Sequence, residues 1–90
     1  MTDANLYTRQ PQQLVIYSTA WCPDCRRARF FVLRNHIPFI EVDVDTDPAA
    51  EAFVRNLNNG NRSVPTLVFP DGSLHVEPSN DQLVTRFSNS

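Results

Sequence analysis

Cys22 and Cys25 are the only cysteines in this chain of 90 residues, set in the run Trp21-Cys22-Pro23-Asp24-Cys25. Two thiols at that spacing can close a disulfide within one helical turn, which makes the segment a reversible two-electron switch. The run lies between a strand-like and a helix-like stretch, placing Cys22 at or just before the first turn of the helix. Free backbone N–H groups and the positive end of the helix dipole point there. A thiolate accepts those hydrogen bonds and a thiol does not, so the Cys22 pKa is expected below its free value of about 8.5. Cys25, one turn deeper, is expected to be less exposed and more protonated. Cys22 is then the nucleophile on a disulfide, and Cys25 or an external low-molecular-weight thiol resolves the mixed disulfide. Asp24 opposes the thiolate but suits the dipole, and Arg26 and Arg27 offset it, so the helix terminus is expected to prevail.

A structural metal site is the competing use of two cysteines. A closed zinc site takes four ligands. The only histidines, His36 and His75, fall on separate elements without a finger spacing. The pair therefore reads as redox-active with no metal expected, and both histidines read as surface or loop residues. Trp21, the only tryptophan, is either a flat wall for a substrate or packing against the helix.

The elements that must position this motif are legible from patterning. Leu14-Val15-Ile16-Tyr17 is a nearly continuous apolar run, as in a strand buried on both faces. Pro23 suits the first helical position, and Ala28, Phe31, Val32 and Asn35 follow helical spacing with arginines opposite. Asn35 and Pro38 mark the stop, and Phe39 to Val44 is a second strand. Asp47-Pro48 opens a second helix that ends at Asn58-Asn59-Gly60-Asn61. Thr66 to Phe69 and Leu74 to Val76 form a hairpin about Pro70-Asp71-Gly72-Ser73. Ser79 and Gln82 have capping-box spacing at the start of a last helix carrying Leu83, Val84 and Phe87. The order β-α-β-α-β-β-α predicts an α/β fold, a four-stranded mixed sheet with helices on both faces.

Composition bounds the rest. The net charge of −2 gives no indication of nucleic-acid or membrane binding. All eight basic residues are arginine, and Arg26, Arg27, Arg29 and Arg34 make the first helix locally basic. That face is either a solvated surface or a site for an anion. Residues 1–12 are polar, without the apolar core of a signal peptide, and read as a flexible tail before a domain at 13–90. No run approaches transmembrane length, so a cytoplasmic protein is expected, where two cysteines serve catalysis or metal binding sooner than a structural staple.

Over residues 12 to 87 the chain resembles the glutaredoxins, within the thioredoxin fold. The resemblance rests on Cys22-Pro23-Asp24-Cys25 after the first strand, Ser63-Val64-Pro65 before the third, and the Asp71-Gly72 hairpin. It is most similar to the mycoredoxin-type glutaredoxins, through Ala50-Glu51-Ala52-Phe53-Val54, Asn58 to Thr66, and Phe69 to Ser73 with Glu77-Pro78-Ser79. That subgroup usually has Gly-Tyr where this chain has Pro23-Asp24.

The resemblance implies a thiol–disulfide oxidoreductase acting on mixed disulfides between proteins and a low-molecular-weight thiol. Mycothiol-like thiols and glutathione are the candidates. It implies that Pro65 is a cis proline facing Cys22, leaving the Val64 backbone N–H and C=O for a substrate. Arg62, Val64, Asn80 and Asp81 correspond to thiol-binding positions. The family's lysine, tyrosine and Gly-Gly are replaced by Thr19, Asp24 and Pro78-Ser79. A monomer is expected. The alternatives are a dithiol electron donor to a protein, itself reduced by a flavoprotein reductase, and an iron–sulfur or metal-binding module. Pro23 and Cys25 weigh against the cluster.

Overall fold

The computed structural model describes residues 6–88. Its elements are β1 (Leu14–Ser18), α1 (Pro23–Arg34), β2 (Phe39–Asp43), α2 (Pro48–Leu57), β3 (Thr66–Val68), β4 (Leu74–Val76) and α3 (Asn80–Ser88). The strands lie in the order β2-β1-β3-β4, with β1 parallel to β2 and antiparallel to β3. β4 is antiparallel to β3. The inner position of β1 explains its apolar run. Leu14 and Ile16 face one layer with Ala28 and Val32 of α1 and Leu83 of α3. Val15 and Tyr17 face the other, with Ala50 and Val54 of α2. Helices thus cover both faces of a four-stranded mixed sheet, the expected thioredoxin fold.

Each helix begins where its caps place it. Pro23 opens α1 behind the Cys22 cap. The Asp47 carboxylate accepts the Ala50 N–H at 3.1 Å ahead of Pro48. Ser79 and Gln82 exchange hydrogen bonds of 3.1 and 2.9 Å, a complete capping box. α1 ends at Asn35 with the exposed His36 in the left-handed region at φ 56°. His75 lies on β4, half-buried, its ring edge-on to Phe69 at 5.4 Å.

The N-terminal segment departs from the loose tail expected through Gln12. From Leu6 onward it lies against the α2 side of the sheet; residues 1–5 lie outside the described residues. The Tyr7 N–H donates to the Tyr17 hydroxyl at 3.0 Å, and the Tyr7 hydroxyl donates to Asp47. Arg9 donates to the Gly72 carbonyl at 2.9 Å, and Pro11 is buried. Two apolar anchors, Leu6 and Tyr7, hold the segment, and a pair of adjacent residues carries no period to read.

Candidate active site

Cys22 has extended backbone, φ −83° and ψ 118°, and caps α1 with its side chain. Its sulfur accepts the Cys25 N–H at 3.2 Å, and its carbonyl accepts the Arg26 N–H at 3.1 Å. Pro23 follows with no N–H to satisfy. Cys22 retains 8% of its surface; Cys25, one turn on, retains none. Both are free thiols. Burial pushes the Cys25 thiol up to about 12, helped by its hydrogen bond to Cys22, while the Thr19 N–H and hydroxyl pull the other way. Cys25 therefore keeps its proton at neutral pH, and the two sulfurs are chemically unequal.

Val64 and Pro65 stand opposite Cys22. Their peptide bond is cis, and the Val64 carbonyl faces the Cys22 sulfur at 3.9 Å. Among the described residues the Val64 N–H has no hydrogen-bond partner. A polypeptide or thiol laid against Cys22 would meet that free donor.

Trp21 is 66% exposed, yet its ring is held: the indole N–H donates to Asp45 at 2.8 Å. Asp45 also accepts from the Arg62 guanidinium, whose Nε donates to Glu51 at 2.6 Å. The Trp21 and Arg62 donors hold the Asp45 carboxyl below the usual carboxylate range, and the two carboxylates raise Arg62. Such exposed pairs contribute little stability; their effect is to fix the plane of the indole beside Cys22. The sequence reading did not single out Asp45 or Glu51. A usable signal was the position of Asp45, just beyond the carboxyl end of β2, where α/β sheets form sites.

On the opposite flank, Asp24 accepts from Arg27 at 3.3 Å, and Arg27 donates to Asn80 at 3.1 Å. Arg27 thus ties α1 to α3 beside the motif and answers the Asp24 charge. Asp81 is exposed in the first turn of α3. The structure therefore gathers Trp21, Cys22, Cys25, Val64 and Pro65 around the sulfurs. Arg62 connects through Asp45 and Trp21, and Asn80 through Arg27. Among the described residues no three His, Cys, Asp or Glu side chains cluster as a metal ion requires. No helix among them is long and apolar enough to cross a membrane.

A thioredoxin-like sheet, a cysteine pair at the start of α1 and a cis proline across from it define a thiol–disulfide redox protein. The family model for glutaredoxin matches residues 14–75. A Mycobacterium tuberculosis (strain H37Rv) chain classed with the glutaredoxins is 44% identical over 70 residues, covering 78% of this chain and 83% of that one. Mycoredoxin 1 of Corynebacterium glutamicum is 34% identical over 73 residues, covering 81% and 90%. Among solved structures, the thioredoxin-like protein BC3987 matches with a TM-score of 0.71 at 26% identity, over 81% of this chain and 97% of that one. The holo form of glutaredoxin C1 from Populus tremula x tremuloides matches at 0.66 over 98% and 84%; at 16% identity this is a likeness of fold alone. The chain belongs to the glutaredoxin family of thiol–disulfide oxidoreductases.

Proposed function

We propose that the protein reduces mixed disulfides between proteins and a low-molecular-weight thiol, with Cys22 as the attacking sulfur. Cys22 attacks the small thiol's sulfur, the S–S bond to the protein breaks, and the protein sulfur leaves as a thiolate that takes a proton. A second small thiol then attacks the Cys22 mixed disulfide, freeing Cys22 and leaving as the small-thiol disulfide. Each turnover consumes one free thiol, which leaves joined to the small thiol taken from the mixed disulfide. The inequality of the sulfurs carries this reading: Cys22 caps the helix beside the open Val64 N–H, while Cys25 is fully buried and held at a pKa of about 12. A thiol that keeps its proton is a slow resolver, which favours an external one.

The small thiol, mycothiol-like or glutathione, binds along the Val64 backbone between the Trp21 wall and the α3 terminus carrying Asn80 and Asp81. Arg62 serves there through Asp45 and Trp21, since its guanidinium already engages two carboxylates. The protein works as a cytoplasmic monomer. A second reading, a dithiol donor reduced by a flavoprotein, is supported by the 3.2 Å approach of the Cys25 N–H to the Cys22 sulfur, which keeps both thiols on one turn. The Cys25→Ser variant decides between them. Turnover of a protein–small-thiol mixed disulfide survives in that variant on the first reading. On the second, turnover stops and Cys22 is trapped in a mixed disulfide with its partner. Assays with glutathione and with mycothiol identify the thiol.

A further inference from the structure

The outer side of α1 is not a plain solvated face. Phe30 and Leu33 leave 57% and 52% of their surfaces exposed, and Val84 of α3 leaves 50%. Between α1 and α3 runs an open groove of about 670 Å³ floored by Phe30, Phe31 and Val84. Its charged lining is entirely arginine: Arg26, Arg27 and Arg34. Arg27 is engaged by Asp24 and Asn80. The Arg26 and Arg34 guanidinium groups have no hydrogen-bond or ion-pair partner among the described residues. The chain as a whole carries −2, so this positive field is local. One end of the groove is Pro23, the residue after Cys22. From there to Arg34 is roughly 17 Å of helix, longer than a small thiol and suited to a length of polypeptide.

We propose that this groove docks an acidic segment, with an apolar anchor, of the protein whose disulfide Cys22 attacks. The proposal rests on the disulfide-reducing role of Cys22. Carboxylates of the segment pair with Arg26 and Arg34, its apolar side chain covers Phe30 and Val84, and its disulfide is delivered past Pro23 to the sulfur. Charge complementarity of this kind raises association rates and selects partners more than it adds raw affinity. It also divides the surface around Cys22: the small thiol lies between the Val64 backbone and the start of α3, and the protein lies along the α1–α3 groove beyond Pro23.

The test uses three synthetic peptides, each carrying one cysteine as its mixed disulfide with 2-mercaptoethanol and one Phe. They differ only in having Glu, Gln or Lys at the flanking positions. Reduced protein is mixed with each, and with bis(2-hydroxyethyl) disulfide, in single-turnover experiments. The Glu peptide is expected to react about tenfold faster than the Lys peptide at low salt, with the gap closing at high salt. Arg34→Glu is expected to remove most of that preference and to leave the bis(2-hydroxyethyl) disulfide rate unchanged. Arg34 lies some 18 Å of helix from Cys22, beyond the screening length of about 8–10 Å, so its charge does not act on the sulfur directly. Phe30→Ser is expected to slow the Glu and Lys peptides alike.

Equal rates for the Glu and Lys peptides overturn the proposal, as does an Arg34→Glu effect of the same size on all substrates. Binding of cysteine-to-serine peptides, followed by anisotropy, reads docking without any redox step. If bis(2-hydroxyethyl) disulfide fails to react, the redox reading falls while this measurement still decides the groove. Tighter binding of a single-stranded oligonucleotide than of the Glu peptide overturns the proposal in favour of nucleic acid. A stable wild-type dimer that Phe30→Ser dissociates overturns it in favour of a second copy of this chain.

Discussion

The backbone N–H of Cys25 points at the sulfur of Cys22 from 3.2 Å. One turn of helix therefore makes the first cysteine the acceptor and buries the second. Burial, with a side-chain hydrogen bond between the two thiols second, raises the Cys25 thiol to about 12. At neutral pH, iodoacetamide should label Cys22 and spare Cys25 in the reduced protein, as read by peptide mass mapping. Closure of the Cys22–Cys25 disulfide from a Cys22 mixed disulfide should accelerate about tenfold per pH unit on the alkaline side, because the Cys25 thiolate fraction grows at that rate. Once Cys22 is in a mixed disulfide it no longer raises the Cys25 thiol, so this rise should level off below pH 12. Equal labelling of the two cysteines at pH 7 would remove the asymmetry on which the mechanism stands.

Thr19 is the control on that same sulfur. It is 1% exposed, and its hydroxyl has no hydrogen-bond partner among the described residues in the dithiol state. Both its hydroxyl and its N–H nevertheless favour a Cys25 thiolate. Replacing an unpartnered buried hydroxyl by a methyl group removes a desolvation cost, so Thr19→Val should hold or raise the melting temperature. The same change takes a donor from the forming thiolate and should slow resolution by Cys25 about two- to fivefold. Thr19→Ser should restore the rate. A variant that melts lower and resolves at the wild-type rate would show that Thr19 only packs.

What could be read ahead of the structure was local. Pro23, Asp47 and Ser79 mark helix starts because a cap answers N–H groups within three residues of itself. Leu14 to Tyr17 read as an inner strand because both faces of that strand are covered. The relay from Trp21 through Asp45 to Arg62 was not legible. It joins a motif, the end of β2 and a loop across 24 and 17 residues, and each member alone looks like an ordinary surface residue. Phe30 and Leu33 went unread for another reason: the stripe through Ala28, Phe31 and Val32 accounts for the core, and the opposite side was read by its arginines alone.

Stability should form a plateau with two different limbs. Glu41 is partly buried, which opposes its charge, but the Arg29 guanidinium and the Ser18 hydroxyl prevail and hold it below its ordinary value. Asp45, Asp47 and Asp71 are lowered too, chiefly by hydrogen bonds from Trp21, Tyr7 and Ser73 respectively. Carboxyls depressed in the folded state stabilise above their unfolded pKa of about 4, and that contribution is lost as pH falls through the folded values. Cys25 and Tyr17 are raised by burial, and Tyr7 by its bond to Asp47, so their contribution is lost as pH climbs above about 9. Urea midpoints measured across pH should show both limbs. Glu41→Gln should flatten the acid one, and forming the Cys22–Cys25 disulfide should weaken the alkaline one. An acid limb unchanged in Glu41→Gln would refute its assignment.

The N-terminal strap should be measurable as stability. Tyr7 contacts Phe53 edge-on at 6.4 Å, donates its N–H to Tyr17 and its hydroxyl to Asp47. Tyr7→Ala should lower the urea midpoint clearly, from lost ring packing and the lost hydroxyl bond to Asp47. Tyr7→Phe, which keeps the ring and the N–H bond, should cost clearly less. Equal costs would mean that the hydroxyl bond to Asp47, not packing, holds the segment.

The indole of Trp21 should report the protonation of Asp45. The 2.8 Å bond from Trp21 is the largest cause of the lowered Asp45 carboxyl, and Arg62 supports it. Emission of the single tryptophan should therefore step on the acid side, below the ordinary aspartate range, as Asp45 takes a proton and its acceptor strength falls. Asp45→Asn keeps an acceptor oxygen but has nothing to titrate, so the step should vanish while neutral-pH emission stays near that of the wild type. Asp45→Ala frees the ring, and its kcat/KM on a mixed disulfide should fall about three- to tenfold, as expected for lost positioning beside Cys22. That loss should appear mainly in KM, because Asp45 touches neither sulfur. A step that persists in Asp45→Asn would assign the emission change to another group and leave Trp21 unanchored.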